Sequence, residues 1–378
     1  MKIAIAIDSF KGSISSKDAE KVVEETIHSL LPECETICIP IADGGEGTLS
    51  AIMETTNTTL HTVLAHNPCM EIIPAQYGIS TDGKTAFIEM AAISGLPLIR
   101  KDQQDPMETT TFGTGELILD ALKKGCTRFV IGIGGSATND AGTGMLQALG
   151  FKFLSKKGKS LKQGGKTLID IDRIDRSQVN PLLKNVQFIV ACDVRNPFYG
   201  PEGAAFVYAR QKGADDTTII ELDKGMQSFA KIIQQETGRN ISLIPGSGAA
   251  GGLGGGMLAF LNAELKSGSD LLLDFCKFEN KILDADLIIT GEGCIDRQSL
   301  MGKIPGKILQ IAQKNHIPVI AISGISKDID LLKRAGFKGI YKTKPDSMTT
   351  EEAMKPDIAK QNLKNTVLSI FCQPVNFD

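Results

Sequence analysis

Residues 2–8, KIAIAID, alternate isoleucine with alanine after a single lysine and reach no further polar group until Asp8. A segment apolar on both faces fits the interior of a parallel sheet, with Asp8 at the strand's carboxyl end. Ser15 and Asp18 have the S-x-x-D spacing of a helix start. Ala19, Val22, Val23, Ile27, Leu30 and Leu31 follow at helical intervals, and Pro32 marks the exit. Thr36–Ile41 reads as a second strand running into Ala42-Asp-Gly-Gly-Glu-Gly47, and Thr48–Thr55 as another helix. This β-α-β-α order is the grammar of a doubly wound sheet.

Between Leu60 and Ala91 the pattern changes. HTVLAH, EIIPAQYGI and TAFIEMA are strand-like, with Asp82-Gly83 as a hairpin turn. A helix at 114–124, a strand over Arg128–Ile133, a glycine loop, a helix around Met145–Leu149 and a strand over Val186–Cys192 follow. After Asp284 the β-α alternation resumes: strand Leu287–Thr290, helix Lys303–Lys314, strand Val319–Ser323, helix Ile329–Arg334. These are expected to complete the first sheet. The predicted fold is therefore two-domain α/β. A doubly wound domain is built from both chain ends, 1–65 and 285–378, with an inserted mixed-sheet α/β domain, 66–284, and a cleft where the two face.

Composition narrows the functional classes. Lys plus Arg total 41 and Asp plus Glu 44, a net charge of −3, without the basic field a nucleic-acid binder needs. Tryptophan is absent and aromatics are 5%, which argues against aromatic platforms for sugars or bases. The eight cysteines are scattered without a CxxC, as in a cytoplasmic protein with reduced thiols. The uncharged run Asn240–Ala263 holds Pro245 and seven glycines between Gly246 and Gly256, so it reads as a loop leading into a helix at Met257–Leu265 and not as a membrane span.

Glycine is the anomaly, 39 residues in clusters. Gly78-Ile-Ser-Thr-Asp-Gly83-Lys84-Thr85 matches the P-loop pattern letter for letter. A P-loop needs a helix after its lysine, whereas Ala86–Met90 has strand character, so a hairpin is expected. Gly246-Ser-Gly248-Ala-Ala-Gly251 matches G-x-G-x-x-G with Asp270 in the acidic window, yet the glycine run is longer than a dinucleotide-binding turn. Gly132–Gly144 leaves a buried strand, enters a helix and carries Ser136, Thr138, Asn139 and Asp140. Bare backbone N–H groups beside hydroxyl and amide side chains suit an anion. Asp8, Asp43, Glu46, Asp193, Glu292 and Asp296 recur at presumed carboxyl ends of strands, beside Lys11, Arg195 and Lys303. Carboxylates beside cations at that edge point to Mg²⁺ and phosphate chemistry.

In order along the chain, Asp8-Ser-Phe-Lys-Gly12, Pro40-Ile-Ala-Asp-Gly-Gly-Glu-Gly-Thr48, Gly134-Gly-Ser-Ala-Thr-Asn-Asp140, Ala191-Cys-Asp-Val-Arg-Asn-Pro197, Pro245-Gly-Ser-Gly-Ala-Ala-Gly-Gly252 and Gly291-Glu-Gly-Cys-Ile-Asp296 resemble the bacterial-type glycerate kinase family over essentially the full length. The resemblance implies ATP-dependent phosphorylation of D-glycerate, most often at the 2-hydroxyl, and a flavodoxin-like domain made from both chain ends. Within it, Lys11 and Arg195 would hold the glycerate carboxylate or the transferring phosphoryl group, with Asp8, Gly44 and Gly45 also at the substrate. Asp193 or Asp296 would orient and deprotonate the attacking hydroxyl, with Lys11 assisting the transfer. Asp43, Glu46 and Glu292 would bind Mg²⁺. Gly134, Gly135, Ser136, Asn139, Asp140, Gly248, Gly251, Gly252 and Lys303 would cradle the nucleotide. A cytoplasmic small-molecule enzyme with neither nucleic-acid nor membrane partner is expected, its assembly into homo-oligomers left open. The competing classes are an NAD(P)-dependent oxidoreductase, drawn from G-x-G-x-x-G, and a non-catalytic small-ligand-binding protein.

Overall fold

The computed structural model describes residues 1–41, 49, 52–53 and 56–372, so Asp43, Gly44, Gly45, Glu46 and most of the expected helix 48–55 lie outside the described residues. The chain divides into two compact units, Met1–Thr55 with Ser269–Asp378, and Thr56–Gly268. In chain order the strands are β1 (Lys2–Ile7), β2 (Glu35–Cys38), β3 (Thr59–His66), β4 (Ile72–Ile79), β5 (Thr85–Glu89), β6 (Arg128–Gly132), β7 (Lys152–Leu154), β8 (Arg173–Asp175), β9 (Gln187–Ala191), β10 (Glu264–Lys266), β11 (Leu287–Ile295), β12 (Val319–Ser326) and β13 (Gly339–Lys342). The helices used below are α1 (Ser16–Leu30), α2 (Phe112–Lys123), α3 (Thr143–Ala148), α4 (Asp216–Thr237), α5 (Ala249–Phe260), α6 (Ile304–Lys314) and α7 (Pro356–Phe371).

The first unit holds a five-stranded sheet in the order β13-β12-β11-β1-β2, parallel throughout. On one face Ile3, Ile5, Ile7, Leu287, Ile289, Ile320 and Ile322 pack with Ala19, Val23 and Ile27 of α1 and with Ala359, Leu363, Val367 and Ile370 of α7. Residues of the opposite parity, such as Ala4, Ala6 and Ile288, are equally buried. This is why β1 reads as an unbroken apolar run. Helix α6 packs on β11 and β12 through Ile308, Leu309 and Ala312. Ser15 accepts the Asp18 N–H at 3.1 Å at the start of α1, while the Asp18 carboxylate pairs with Lys360.

The chain leaves β1 toward β2 on one side, whereas β11, β12 and β13 step away on the other. Such a reversal of winding opens a crevice at the carboxyl ends of the two central strands. One boundary differs from the sequence reading in a way that matters here. β11 continues five residues beyond Thr290, with Glu292 opposite Ser323 and Ile295 opposite Ser326, whereas β1 stops opposite Gly291.

The second unit contains a six-stranded mixed sheet, β10-β9-β6-β5-β4-β3, in which β5, β6, β9 and β10 run parallel and β3 and β4 antiparallel. A small antiparallel pair, β7-β8, stands apart. The expected helix Met257–Leu265 is shifted: α5 ends at Phe260, Asn262 turns left-handed, and Glu264–Lys266 joins β9 as β10. The units divide at 55/56 and 268/269 instead of 65/66 and 284/285. Strand β3 pairs with β4 along its whole length, while Asp270 and Ser269 bond to Lys307 and Gly302 of the first unit.

Glu20 lies in the first turns of α1 and is only 3% exposed. Ser16 Oγ donates to the Ile7 carbonyl at 2.6 Å and approaches Glu20 Oε1 at 3.4 Å, tying α1 to the end of β1. Burial pushes the Glu20 carboxyl up to about 8. The unfolded chain releases this proton near 4.5 and the native protein holds it to about 8, so the contribution to stability is full below 4.5 and is lost as pH rises through 8. Glu20→Gln, which mimics the protonated acid, is expected to match wild type near pH 4. At pH 8.5 it should exceed wild type by roughly 2–4 kcal/mol. Urea unfolding at the two pH values checks this; equal differences at both would refute it.

Candidate active site

At the crevice between the carboxyl ends of β1 and β11 lies a pocket of about 310 Å³. Its lining includes Asp8, Phe10 and Lys11 from the turn after β1, and Glu292 and Cys294 from the protruding end of β11. Lys303 stands at the start of α6, Ile325 on β12, Thr343 and Lys344 after β13, and Met354 near α7. The pocket therefore gathers four residues that the sequence singled out separately: Asp8, Lys11, Glu292 and Lys303. Lys344 escaped the sequence reading because β13 was not recognised as a strand; the rule that points to carboxyl strand ends would have found it.

Glu292 is 6% exposed and accepts from Ser299 Oγ at 2.5 Å and from Lys303 Nζ at 3.3 Å. The second bond joins a nearly buried carboxylate to a half-exposed ammonium, so Lys303 can swing toward an anion in the pocket only by giving up this partner. Asp8 is 3% exposed; its N–H reaches the Gly291 carbonyl at 2.9 Å, and its Oδ1 accepts the Ser9 N–H at 2.6 Å. Glycine is required at 291, since a Cβ there would stand 2.1 Å from the Ile322 carbonyl oxygen. Asp296 is not in the pocket lining. It starts the Arg297–Leu300 turn with a capping box, its Oδ1 accepting from Gln298 and its N–H donating to Ser299 Oγ.

In the second unit β6, β9 and β10 release their loops at one sheet edge. The loop after β6 holds Gly134 and Gly135 at the surface, with open space where a Gly134 Cβ would stand. Past Ser136 the chain turns inward. Asp140 is wholly buried and accepts from the Thr111 N–H at 2.8 Å, Thr111 Oγ1 at 2.9 Å, Gly142 N–H at 3.1 Å and Gly144 N–H at 3.2 Å. Burial pushes its carboxyl up and these donors pull it down. Asn139 is also wholly buried, its Nδ2 on the Met226 sulfur. Asn139 and Asp140 thus shape the loop from beneath, and Gly134, Gly135 and Ser136 are the expected nucleotide contacts that stand near its surface.

Gly248, Gly251 and Gly252 are buried as well, and their missing side chains are occupied by protein. An added Cβ would lie 2.1 Å from the Pro197 carbonyl oxygen, 2.0 Å from the Thr138 carbonyl oxygen and 2.6 Å from Met226 Cε, respectively. Ala250, Gly251 and Gly252 adopt left-handed backbone at the start of α5, and the Gly251 carbonyl accepts the Ala141 N–H at 3.0 Å. These glycines let two loops touch backbone to backbone, which removes the physical basis for a dinucleotide-binding turn at 246–251. Asp193 and Arg195 follow β9 and are exposed; Asp193 Oδ1 accepts the Gly268 N–H at 2.9 Å.

Residues 78–85 form the expected hairpin, with Gly78 opposite Phe87 and Ile79 opposite Ala86, Gly83 left-handed, and Lys84 exposed. No helix N-terminus follows Lys84, so the P-loop match carries no phosphate site. Lys212 is a buried cation that sequence reading missed. It is 1% exposed, and its Nζ donates to Ser136 Oγ and the Thr138 carbonyl, each at 2.7 Å. Burial pushes its ammonium down to about 7, opposed by the Asp140 carboxylate. Among the described residues no group of three or more His, Cys, Asp or Glu is placed to hold a metal, and no helix is long and apolar enough to cross a membrane.

The profile of the glycerate kinase family matches residues 3–373. The chain belongs to the glycerate kinase family. It is 43% identical to the glycerate 2-kinase of Escherichia coli over 356 residues, covering 94% of this chain and 93% of that one. It is likewise 43% identical over 371 residues to the glycerate kinase of Bacillus cereus, with 98% and 97% covered. A crystal structure described as glycerate kinase 2 from Salmonella typhimurium superposes with a TM-score of 0.85 at 39% identity, covering 98% of this chain and 97% of the other. Family membership accords with the two-unit α/β architecture.

If Gly251 serves backbone approach and not a ligand, Gly251→Ala should lower stability. The new methyl meets the Thr138 carbonyl in a left-handed backbone, for an expected cost of roughly 2 kcal/mol or more. A denaturant midpoint unchanged from wild type would return Gly251 to the list of ligand-facing glycines.

Proposed function

We propose that this protein transfers the γ-phosphoryl group of ATP to the 2-hydroxyl of D-glycerate. The carrying observation is the crevice pocket, where Lys11 and Lys303 stand with the carboxylates of Asp8 and Glu292 at the winding reversal of a chain of this family. A small anionic substrate needs cations to bind it, and phosphoryl transfer needs charge neutralised at a fixed geometry more than it needs a strong base. The glycerate 2-kinase name of the E. coli relative favours the 2-position.

Mg²⁺ takes one or two carboxylates and completes its shell with water and phosphate oxygens, so a cluster of three protein ligands is not required. Asp8 and Glu292 fit this demand as hard oxygen donors in one pocket, and they are the residues that would hold the ion. The expected ligands Asp43 and Glu46 lie outside the described residues. When bound, Mg²⁺ neutralises charge on the phosphates. Lys11, exposed at the pocket, and Arg195, exposed after β9, have the charge to hold a carboxylate or phosphoryl group. Gly134, Gly135 and Ser136 are suited to nucleotide phosphates. Asp193 and Asp296 are the two carboxylates assigned to orient the attacking hydroxyl, both already engaged by backbone N–H groups.

With ATP, Mg²⁺ and D-glycerate the protein should release ADP and form 2-phosphoglycerate, with L-glycerate much poorer. Phosphorus NMR of the product distinguishes the 2- from the 3-phosphate. Glycerate-independent ADP release, or none from folded protein, would sink the assignment, and a 3-phosphate product would overturn its regiochemistry. Asp193→Asn and Asp296→Asn keep size and the accepting oxygen, so folding should survive. The variant that has lost the base should turn over roughly 10²-fold more slowly with ATP affinity unchanged. Near-wild-type turnover in both variants would remove both from the chemistry.

A further inference from the structure

The second unit carries a charged group that the proposed chemistry has not used. Lys212 ends the short turn Arg210–Lys212, and the left-handed Gly213 behind it packs against the Gln104 carbonyl. This turn delivers the Lys212 ammonium into the protein beneath the loop that leaves β6. Both of its hydrogen bonds go to that loop, to Ser136 Oγ and the Thr138 carbonyl, at 2.7 Å. Burying an ammonium is costly, and a structural prop could have been built from neutral groups.

The loop above it has the form of an anion seat. The Gly135 carbonyl accepts the Leu96 N–H and the Ala137 N–H donates to the Ser94 carbonyl, which pins the turn on both sides. Gly134 and Gly135 remain at the surface, with Gly135 left-handed and no atom near the position of a Gly134 Cβ. Ser136 Oγ accepts from the Lys212 ammonium, which has no lone pair to offer in return. While Lys212 carries its charge the serine hydroxyl proton must therefore point elsewhere; Ser136 itself is 8% exposed.

We propose that Lys212 is the positioning residue of a phosphate-binding turn at Gly134–Ser136, holding Ser136 as a hydrogen-bond donor and supplying positive charge to the phosphates of a nucleoside triphosphate. This rests on the kinase reading above for the identity of the ligand, not for the geometry. Lys212 does not touch the ligand; it acts through Ser136 and the field at the turn. Bonds to charged groups are the strong ones, so loss of this arrangement should weaken triphosphate binding by roughly tenfold or more.

The test uses the full chain with ATP as the probe, by calorimetric titration and by steady-state kinetics. Lys212→Met should raise the ATP Kd and KM roughly tenfold or more, with kcat changed less and the glycerate KM within about twofold. Ser136→Ala should do the same in smaller measure, and the double variant should be no worse than Lys212→Met alone, because one residue acts through the other. Lys212→Gln keeps a donor to Ser136 without the charge; it should restore part of the ATP affinity and serves in place of Lys212→Met if that variant does not fold. A lower melting temperature with unchanged ATP Kd in the folded variants would overturn the proposal, as would strict additivity. Wild-type protein that binds ATP in this Lys212-dependent way but does not phosphorylate glycerate would overturn the functional reading alone. Absence of ATP binding to wild type would overturn both.

Discussion

β1 stops opposite Gly291 while its neighbour β11 runs on to Ile295, and the chain departs from these two strands in opposite directions. Parallel strands require crossovers, and crossovers of one hand place their helices on opposite faces when the winding reverses. The gap left at the reversal cannot be closed by the sheet itself. Asp8 to Lys11 line one side of it and Glu292 to Cys294 the other. Glu292 can be a nearly buried carboxylate there because Ser299 and Lys303 satisfy both of its oxygens. Without the extra length of β11 these groups would not share a pocket.

The second unit solves a different problem. A long loop after β6 has to present an open backbone turn while its remainder is stitched into the core. Asp140 does the stitching, drawing Thr111, Gly142 and Gly144 onto one carboxylate. Glycines at 248, 251 and 252 allow the second loop to lie against it at distances no side chain would permit. Lys212 adds a charge below the turn that the buried carboxylate partly balances. Polar groups in such a setting rigidify a loop only when they are satisfied, as the Asp140 oxygens are here, while the Lys212 ammonium uses two of its three N–H groups on the loop.

Much of this was legible in the chain. The apolar runs at 2–8, 287–290 and 319–323 belong to one parallel sheet because strands buried on both faces have little alternation to lose. The hairpin at Asp82-Gly83 was readable against a tempting P-loop match, because the residues after Lys84 lack helical character. What could not be read was depth. Asn139 and Asp140 look like ligand contacts in sequence, since a polar residue in a glycine loop carries no mark of whether it faces solvent or core. The glycines at 248–252 are ambiguous for the same reason: close backbone approach to a ligand and to another loop demand the same residue. Lys212 gave no signal, because a single lysine beside a glycine is ordinary on a surface. Asp8 and Glu292 were recognisable from strand-end placement, with Lys11 and Lys303 as cations beside them, although only the register of β11 shows why the four converge.

The pairing of β1 with β11 also sets an order of assembly. The Lys2 N–H bonds to Asp286 across 284 positions of sequence, and Ile3 aligns with Leu287. During synthesis β1 therefore emerges long before the strand that flanks it, with an isoleucine-rich edge exposed. Residues 56–268, by contrast, form a contiguous unit whose sheet partners all lie within it. Contacts of long sequence separation are slow to form, and contiguous units generally fold as they emerge. On a translating ribosome the inserted unit can thus complete its sheet while the discontinuous one still waits for two thirds of its residues, so truncation ahead of Leu287 would leave a folded insert tethered to a first strand that has lost β11 as its neighbour.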